Sequence, residues 1–516
     1  MSRLAAAVVS VLLLSSLAEA ARVVGGEGDD RLVGTPRADV LLGGGGSDRL
    51  FGLAGDDLLD GGTGADALDA GPGADRVAAS YDGARDVLRC GPGRDVVNAD
   101  LRDLVAGDCE LVGWRLSRDP FDDPASQHET QVEPDSLTVG RTTVAAFQVG
   151  RRFDGAATGI GFAVTNDGGL TWRSGFLPSL TAAGRPPGPN ERASDPVVGY
   201  DAATRTWLVA ALALEGATTR LTVSRSPDGF RWSAPVVAAE ATAPDGIAFD
   251  KEWLVCDNGP ASPRFGTCYL VATDALVRDS LVVWVSTDGG LRWDRAGRIP
   301  VTDAVGAIPV PRPNGDLVVV FLWRGRSVGA SVSRDGGATF APPTTVAELR
   351  VRPARGLRFF PLPTADVAPD GSVVVAWHDC RFSAGCSANA IVTSTSSDGQ
   401  VWSAPQAATS GRNALLPALG ISPETGRTAL VYHVVGRDGG VDVELVESRP
   451  SGGWGAPRRL SARTMRPEWM PDTRSGRMLA DYVSVHYSGA RPLVVWVLAT
   501  EPRAGRLRQA VYATLG

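Results

Sequence analysis

The sequence predicts an all-β fold, in which a coil of short parallel strands near the N-terminus is followed by a larger region of repeated antiparallel sheets. Residues 25–78 follow a strict nine-residue period. A turn with the pattern Ser/Thr-x-Asp-Gly, followed by an aromatic residue, recurs from residue 165 onward. The 62 glycines and 35 prolines suit strands and turns rather than helices. Because the chain has 516 residues, we expect two or more folded units.

The first twenty residues have the pattern of an export signal. Arg3 precedes an apolar run over 4–17, and the sequence Ala18-Glu19-Ala20 suits a cleavage site. We therefore predict a signal peptide over 1–20 and a mature chain that starts near Ala21. The run is shorter than the ~20 apolar residues of a membrane span, and no later segment reaches that length. We expect a secreted, extracellular protein without a membrane span.

Six cysteines fit an oxidising compartment, because they fall into three close pairs. The sequence predicts three local disulfides, Cys90–Cys109, Cys256–Cys268 and Cys380–Cys386. Zinc binding is disfavoured, since no C-x-x-C pair occurs and the four histidines are scattered along the chain.

The negative charge is concentrated near the N-terminus. Residues 21–110 hold 18 acidic side chains against nine arginines, a net charge of −9, whereas the whole chain carries −7. This distribution argues against nucleic-acid binding and predicts a cation partner for the N-terminal segment. Lysine occurs once, at Lys251, against 50 arginines.

The periodic segment divides without insertion into six nine-residue units, GGEGDDRLV, GTPRADVLL, GGGGSDRLF, GLAGDDLLD, GGTGADALD and AGPGADRVA. Aspartate fills the sixth position and an apolar residue the eighth, at Asp30, Asp39, Asp48, Asp57, Asp66 and Asp75, and at Leu32, Leu41, Leu50, Leu59, Leu68 and Val77. Each unit suits a glycine turn with positive φ, followed by a three-residue strand with one apolar side chain inward. If two units complete one coil, the aspartates stack in two rows of alternate units.

Stacked carboxylates repel one another unless cations lie between them. Carboxylate and turn-carbonyl oxygens are the ligands that Ca²⁺ requires, whereas Mg²⁺ demands a tighter octahedron. The segment resembles the RTX, or hemolysin-type, calcium-binding β-roll, whose pattern GGxGxDxUx is matched almost fully by 25–33 and 61–69. The resemblance implies a parallel β-roll over 21–110 that binds Ca²⁺ through the six aspartates. Two weaker units around Asp86 and Asp95 are interpreted as a disulfide-tied cap rather than as calcium ligands.

The recurring turn of the larger region has a structural chemistry. Three copies are nearly complete, at 165–172, 286–293 and 333–340, and three eroded copies end near Trp232, Trp402 and Trp454. The aspartate accepts backbone N–H groups, the glycine takes a positive φ and the aromatic ring packs between sheets, so these aspartates are not catalytic candidates. The turn is the Asp box, and residues 132–516 resemble a sialidase-type β-propeller.

The number of blades follows from the expected inner strands. These begin near Glu133, Asp195, Lys251, Ala307, Leu362, Leu416 and Asp481, which favours seven blades. Six blades are the alternative, if the final strands complete an earlier blade. Residues 111–131 are predicted to be a linker, and the stretch from Cys109 to Ser117 is a candidate for the strand that closes the ring.

Candidate site residues lie where the inner strands start, since propellers bind ligands around the central channel. The basic candidates are Arg192, Lys251, Arg358, Arg412 and Arg477. In sialidases an arginine cluster binds the sugar carboxylate, a tyrosine paired with a glutamate is the nucleophile, and an aspartate is the acid/base. The resemblance implies a clamp of Arg358, Arg412 and Arg477. It also implies Tyr482 with Glu133 or Glu252 as the nucleophile pair, and Asp195 or Asp250 as the acid.

The sequence also departs from the sialidase pattern. The first inner strand reads Val132-Glu133-Pro134 where Arg-Ile-Pro is expected, so one arm of the arginine clamp has no counterpart there. With 50 arginines, several also fall near inner strands by chance. Two functions therefore stay open. One is a secreted calcium-binding glycoside hydrolase of exo-sialidase type that acts on acidic glycans. The alternative is a non-catalytic extracellular propeller that binds glycan or protein on a calcium-stiffened stalk, and we expect a monomer in both cases.

Overall fold

The computed structural model describes residues 20–79, 82–244 and 246–516. The predicted signal peptide lies outside these residues, apart from Ala20. The described chain is all-β, as predicted, with no α-helix and with short 3-10 helices at Ala275–Val277, Ala384–Cys386 and Pro467–Trp469. It divides into two compact units. The first comprises the chain up to Asp95 together with Arg102–Glu110, and the second comprises Val96–Leu101 and Leu111–Gly516.

The first unit is a coil of two parallel sheets. One sheet contains β1 (Arg22–Val24), β3 (Val40–Gly45), β5 (Leu58–Thr63) and β7 (Arg76–Ala79). The other contains β2 (Arg31–Val33), β4 (Arg49–Phe51), β6 (Ala67–Asp69), β8 (Val87–Arg89) and β10 (Leu104–Val105).

The register of the coil follows the repeat. Arg22 pairs with Val40 and Arg31 with Arg49, each 18 residues further on, so two nine-residue units complete one coil as predicted. The apolar side chains at the eighth position of the units are all buried. The N-terminal parallel β-roll is therefore confirmed, and its core is one apolar side chain per short strand.

The second unit is built from consecutive antiparallel strands. Before them, β9 (Val96–Ala99) and β11 (Leu111–Arg115) pair in parallel. The first two groups of four are β12 (Ser126–Val139), β13 (Thr142–Arg152), β14 (Ala157–Thr165) and β15 (Arg173–Phe176), and β16 (Arg192–Asp201), β17 (Thr206–Glu215), β18 (Thr218–Ser226) and β19 (Val236–Thr242). The next two are β20 (Phe249–Cys256), β21 (Cys268–Asp274), β22 (Ser280–Ser286) and β23 (Asp294–Arg298), and β24 (Ala304–Pro311), β25 (Leu317–Trp323), β26 (Ser327–Ser333) and β27 (Thr344–Glu348).

The C-terminal part continues the same pattern. Between the groups, β28 (Leu357–Arg358) pairs in parallel with β37 (Arg477–Met478). The further groups are β29 (Thr364–Val367), β30 (Val373–Asp379), β31 (Ala390–Ser396) and β32 (Gln406–Ala407), and β33 (Asn413–Ile421), β34 (Thr428–Val435), β35 (Val441–Glu447) and β36 (Arg458–Arg459). The last is β38 (Ser484–Ser488), β39 (Arg491–Arg503) and β40 (Arg506–Leu515), to which β11 adds as an antiparallel neighbour of β40.

The first strand of each group faces a central cavity of about 470 Å³. Apolar side chains of neighbouring groups pack against one another, as Leu208 of β17 does in one buried cluster with Leu254 of β20 and Leu270 of β21. This arrangement is the predicted β-propeller. Its number of blades stays a prediction.

The Asp boxes brace the turns of the propeller. Asp167 Oδ1 accepts the backbone N–H groups of Leu170 at 3.0 Å and Thr171 at 2.9 Å, together with the Thr165 hydroxyl at 2.7 Å. Burial acts to raise the pKa of Asp167, but the hydrogen bonds from Thr171 and Thr165 outweigh it and lower the pKa to about 2. Asp335 is held in the same way, and its pKa is also lowered to about 2.

All three predicted disulfides are formed, Cys90–Cys109, Cys256–Cys268 and Cys380–Cys386. Among the described residues, no helix combines the length and the apolar character that crossing a membrane requires.

Candidate functional site

Two rows of aspartates run along the coil of the first unit. Each carboxylate accepts the backbone N–H of the aspartate one coil earlier, at N···O distances of 2.7 to 2.8 Å, in the pairs Asp30–Asp48, Asp48–Asp66, Asp39–Asp57 and Asp57–Asp75. The structure thus brings together the six predicted metal ligands in the two sets that the repeat implies.

Four of the stacked carboxylates use only one oxygen in these rows. The Oδ1 atoms accept the N–H groups, whereas the Oδ2 atoms of Asp48, Asp57, Asp66 and Asp75 are buried without a hydrogen-bond partner. A buried polar atom without a partner costs roughly 1–3 kcal/mol. These four oxygens therefore favour an electropositive neighbour.

The rows are also electrostatically unfavourable on their own. Burial, with smaller contributions from neighbouring carboxylates such as Asp75, raises the pKa of Asp57 to about 7. Burial likewise raises the pKa of Asp66 and of Asp75 to about 6. A cation beside these groups would favour their ionised forms.

Glycine creates the space beside the unused oxygens. A Cβ on Gly43 would collide with both Asp48 Oδ2 and the carbonyl oxygen of Gly61, and the adjacent Gly44 has a φ of 108°. A carboxylate oxygen and a main-chain carbonyl oxygen thus converge on one glycine-lined space. This donor set of hard oxygens fits Ca²⁺.

The rows continue beyond the six predicted aspartates. Asp86 accepts the backbone N–H of Asp66 and Asp95 that of Asp75, both at 2.8 Å. The Oδ2 atom of Asp95 is buried without a partner, and burial raises the pKa of Asp95 to about 6. The sequence interpretation excluded both residues because the spacing lengthens from 18 to 20 residues there. The available signal was the repeated Asp-Val at 86–87 and 95–96.

A set of β-bulges lies in the inner strands that line the central cavity of the second unit. The ladder between β20 and β21 shifts register between Asp250 and Trp253, and Lys251 has a φ of 49°. Matching shifts accompany Glu133, with a φ of 51°, and Asp195, with a φ of 48°. Positive φ at a residue other than glycine is strained, and bulges redirect side chains. The bulges therefore place three predicted site residues on equivalent positions of neighbouring inner strands.

Lys251 is the centre of an ion-pair cluster. Its Nζ atom lies 2.7 Å from Asp481 Oδ2, 3.3 Å from Asp195 Oδ1 and 3.4 Å from Glu133 Oε1. Only 11% of the lysine side chain is exposed. These residues are far apart in sequence, and the sequence analysis had named each of them separately at the start of an inner strand.

Arg358 reaches the same cluster from the β28–β37 pair. Its Nε and Nη2 atoms donate to the two carboxylate oxygens of Asp481 at 3.1 and 2.7 Å, a bidentate geometry. Burial acts to raise the pKa of Asp481, but Lys251 and Arg358 outweigh it and hold that pKa far below its usual range. Asp481 is therefore a doubly paired carboxylate.

The pKa values of Asp195 and Glu133 are shifted in opposite directions. For Asp195, the attraction of Lys251 and a hydrogen bond with Glu133 overcome burial and lower the pKa. Burial raises the pKa of Glu133 well above its usual range, despite Lys251. Burial thus favours the protonated form of Glu133, whereas Lys251 favours the ionised form of Asp195. Such divergent carboxyl groups are the arrangement that separates acid from base in active sites.

Glu252 lines the cavity without a partner. The residue is 1% exposed, and neither of its carboxyl oxygens has a hydrogen-bond partner. Burial, with a smaller contribution from Asp195, raises the pKa of Glu252 well above its usual range. Burial and Asp195 also raise the pKa of the preceding Asp250 to about 6, while its Oδ1 accepts the Lys251 N–H at 3.0 Å. Burial therefore favours the protonated form of Glu252.

Tyr482 extends an aromatic surface into the cavity. Its ring lies 5.5 Å from the Trp253 ring in an edge arrangement, and its hydroxyl donates to the carbonyl oxygen of Pro196 at 3.2 Å. Burial, followed by Glu133, raises the pKa of Tyr482 well above its usual range. The phenol thus stays protonated, and its hydrogen bond goes to a main-chain carbonyl rather than to either predicted glutamate partner.

The other predicted arginines lie elsewhere. Arg192 pairs with Asp154 at 2.7 Å, and Arg412 pairs with Glu444 while 59% of its side chain is exposed. Arg477 donates to the carbonyl oxygen of Met470 at 3.0 Å. None of the three lines the cavity in the described part of the chain. Of the proposed clamp, the structure brings only Arg358 to the ion-pair cluster.

Two buried polar residues of β13 support the cluster and were not predicted. Gln148 donates to Glu133 and, at 3.1 Å, to the Ser194 hydroxyl. Arg151 donates to Gln148 Oε1 at 3.4 Å and to the carbonyl oxygen of Ala156 at 2.8 Å. The available signal was a glutamine inside the apolar run 144–149, where a buried polar group needs partners.

Two family models match parts of the chain. The RTX calcium-binding nonapeptide repeat matches residues 24–59 and 42–77. The BNR repeat-like domain matches residues 140–366. The chain therefore contains RTX calcium-binding repeats in its first unit and a BNR repeat-like domain in its second, so both predicted resemblances are confirmed. No curated protein matches the chain.

The chain also resembles solved structures at low identity. The Hadza microbial sialidase Hz136 is 16% identical with a TM-score of 0.44, over 62% of this chain and 66% of that one. The NanB sialidase from Streptococcus pneumoniae is 12% identical with a TM-score of 0.43, over 60% of this chain and 66% of that one. The chain thus spans just under two thirds of either sialidase. AofleA from Arthrobotrys oligospora is 11% identical with a TM-score of 0.39, over 65% of this chain and 88% of that one.

Proposed function

We propose that the aspartate rows of the first unit bind Ca²⁺ between successive coils. The RTX match and the buried, unpartnered Oδ2 atoms support this proposal. The six predicted aspartates would hold the ions together with main-chain carbonyl oxygens of the glycine turns, and Asp86 and Asp95 extend the rows. Bound calcium supplies the positive charge that lets stacked carboxylates remain ionised.

For the second unit, we propose that the propeller binds a glycan in its central cavity and hydrolyses a glycosidic bond. The observation that carries this proposal is that Asp195, a carboxylate with a lowered pKa, and Glu252, a carboxyl group with a raised pKa, both line one cavity. Glycoside hydrolysis uses two carboxyl groups in these two protonation states.

Each group has a role that follows from its surroundings. Asp195, kept ionised by Lys251, acts on the anomeric carbon or on an attacking water. Glu252 donates its proton to the departing glycosidic oxygen. Its raised pKa favours the protonated form that a general acid requires. Trp253 and Tyr482 line the cavity and offer aromatic surface to the sugar ring.

The charges of the cluster favour a neutral sugar over an acidic one. Lys251 and Arg358 are the cations of the cluster, and both are already paired with carboxylates. A sugar carboxylate would have to displace Asp195 or Asp481 from these pairs, whereas a neutral sugar leaves them intact.

The test is sugar release from fluorogenic glycosides of matched neutral and acidic sugars by the purified full chain. We expect cleavage of a neutral glycoside, and a fall in kcat of about 100-fold or more in D195N and in E252Q. The R412A variant should retain full activity, whereas a three-arginine clamp predicts a loss on acidic glycosides. Unchanged turnover in both carboxyl variants would overturn the assignment.

A non-catalytic glycan-binding propeller is the second candidate. It is favoured by the burial of the ion pairs, since Glu133, Asp195 and Asp481 are only 1 to 3% exposed and hold three inner strands together. In this case the chain binds the same glycosides without releasing sugar, and D195N lowers thermal stability instead of turnover.

Secretion belongs to the proposal as well. Three disulfides suit an oxidising compartment, and the predicted signal peptide would direct the chain there. Expression with residues 1–20 attached should yield an extracellular chain that begins near Ala21. An uncleaved chain that stays inside the cell would contradict it.

A further inference from the structure

We propose that an arginine-rich surface outside the central cavity binds an anionic polysaccharide. The surface is formed by residues 349–360 and by the loop 380–389, which the Cys380–Cys386 disulfide bridges. The first segment holds four arginines and the second holds one, and neither contains an acidic residue. Glu348, which precedes the first segment, is exposed and offsets one of these charges. Because the whole chain carries a net charge of −7, the positive charge of this surface is a local feature.

Main-chain hydrogen bonds bring the two segments together. Arg350 donates its backbone N–H to Asp379 Oδ2 at 3.2 Å, and its carbonyl oxygen accepts the N–H of Cys380 at 2.6 Å. Asn389 is buried, and its side chain accepts the backbone N–H of Arg352 and donates to the carbonyl oxygen of Arg352, both at 2.8 Å. The backbone that carries these arginines is therefore held in place without the use of their side chains.

Three arginines of the surface have unpaired guanidinium groups. Arg350, Arg352 and Arg355 are exposed, and none of their side chains forms an ion pair or a hydrogen bond with the residues that the structure describes. The neighbouring acid Asp379 is buried and is paired with Arg381 at 2.7 Å. The three exposed guanidinium groups are therefore accessible to an anion from outside the chain.

The composition of the surface favours a saccharide that carries several acidic groups. The three unpaired arginines lie within six residues, a stretch that spans at most about 20 Å, so a short chain of charged units can contact all of them. Guanidinium groups bind carboxylates and other oxyanions in a bidentate geometry. Phe382 is 50% exposed and Phe360 38% exposed, and their rings offer apolar surface to the C–H faces of sugar rings. Two separate rings give little surface for insertion into a membrane.

The first segment also leads to the central cavity. Arg358 follows the exposed arginines and pairs with Asp481 of the ion-pair cluster at 2.7 Å, and the Phe360 ring lies 5.1 Å from the guanidinium carbon of Arg358. Leu362, just beyond the segment, lines the cavity. This continuity with the cavity favours a saccharide over a nucleic acid, which the net negative charge of the chain also disfavours.

The test is calorimetric titration of the full chain, in calcium, with two anionic saccharides and their neutral counterparts. Oligogalacturonate is compared with its methyl ester, and sulfated dextran oligomers are compared with dextran oligomers. We expect at least one anionic saccharide to bind about tenfold or more tightly than its counterpart, with an affinity that falls as salt rises. R350A/R352A/R355A should weaken this binding about tenfold or more. F382A should weaken it about threefold without changing its salt dependence, because it removes a ring rather than a charge.

The matched control is R292A/R295A/R334A, which removes the same charge from three exposed arginines elsewhere in the propeller and should change the affinity less than twofold.

Three results would overturn the proposal. One is equal affinity for the anionic saccharides and their neutral counterparts, and another is an equal loss of affinity in the control variant. The third is tighter binding of a single-stranded oligodeoxynucleotide, or of vesicles that contain phosphatidylserine, than of either anionic saccharide at the same salt concentration. Because the experiment measures binding outside the central cavity, a chain that releases no sugar from any glycoside would contradict the hydrolysis proposed above and leave this proposal intact.

Discussion

Both units of the chain repeat an aspartate beside glycine, but the two repeats place the carboxylate in opposite electrostatic settings. In the coil, Asp57 accepts one N–H from a neighbouring coil and leaves a buried oxygen without a partner, and its pKa is raised. In the propeller, Asp167 accepts several hydrogen bonds from its own turn, and its pKa is lowered. The first carboxylate leaves one oxygen unsatisfied, whereas the second is satisfied by hydrogen bonds from its own turn.

Removal of calcium should produce the largest difference between the two units. In excess chelator, we expect hydrogen exchange of the intact chain to show loss of protection over residues 21–95, because the uncompensated carboxylates destabilise the coil. Protection of residues 132–516 should change little. Protection of the coil that survives chelation would show that the rows are stable without the ion.

Substitution of one coil carboxylate should change the two states of the coil in opposite directions. Asp57→Asn removes a ligand charge, so calcium affinity should fall about tenfold or more. The calcium-free coil should become more protected, since a buried repulsive charge is gone. Calcium titration and hydrogen exchange measure the two effects. Asp56→Asn is the matched control, because it removes the same charge from an exposed neighbour.

The corresponding change in the propeller should not depend on calcium. Asp167→Ala removes an acceptor of two backbone N–H groups and two hydroxyls, so we expect a loss of about 1–2 kcal/mol in the local unfolding free energy. Hydrogen exchange of the 165–172 turn, with and without calcium, gives the value. A calcium-dependent loss would remove the distinction between the two repeats.

Acid should change the stability of the two units with opposite signs. The pKa of Asp57, about 7, lies above its ordinary value of 3.8, so the calcium-free coil should lose stability as pH rises from about 4 to 7 and regain it on acidification. The pKa values of Asp167 and Asp335, about 2, lie below 3.8, so their contribution should be lost as pH falls from about 4 to 2. Hydrogen exchange at matched pH values in chelator checks both signs.

The coil could be predicted from the sequence almost residue by residue. Its contacts join residues one fixed step apart, so a strict period determines which side chains are buried and which stack. The prediction of calcium ligands stopped at Asp75 because the units around Asp86 and Asp95 follow an offset, although both aspartates continue the rows. The nine-residue repeat therefore suffices to predict most of the structure of the coil.

The central cavity could be predicted only in part. Strand starts identified Glu133, Asp195 and Lys251, since turn chemistry there is visible in the sequence. The contacts among their side chains depend on β-bulges and on Asp481, which lies far away in the sequence. The arginine clamp was a weaker prediction because long side chains choose among distant partners, as Arg412 does with Glu444. The spacing of residues along the sequence does not predict ion pairs of this kind.

The position of Lys251 gives the chain an internal reporter. It is the only lysine in the sequence, and three acidic side chains surround its ammonium group in the folded propeller. Because an acylating reagent attacks the neutral amine, Lys251 of the native protein should resist labelling, and an acyl group on Lys251 would mark a molecule whose propeller has opened. Mass spectrometry after a brief pulse of reagent would then count open molecules directly, without any engineered probe.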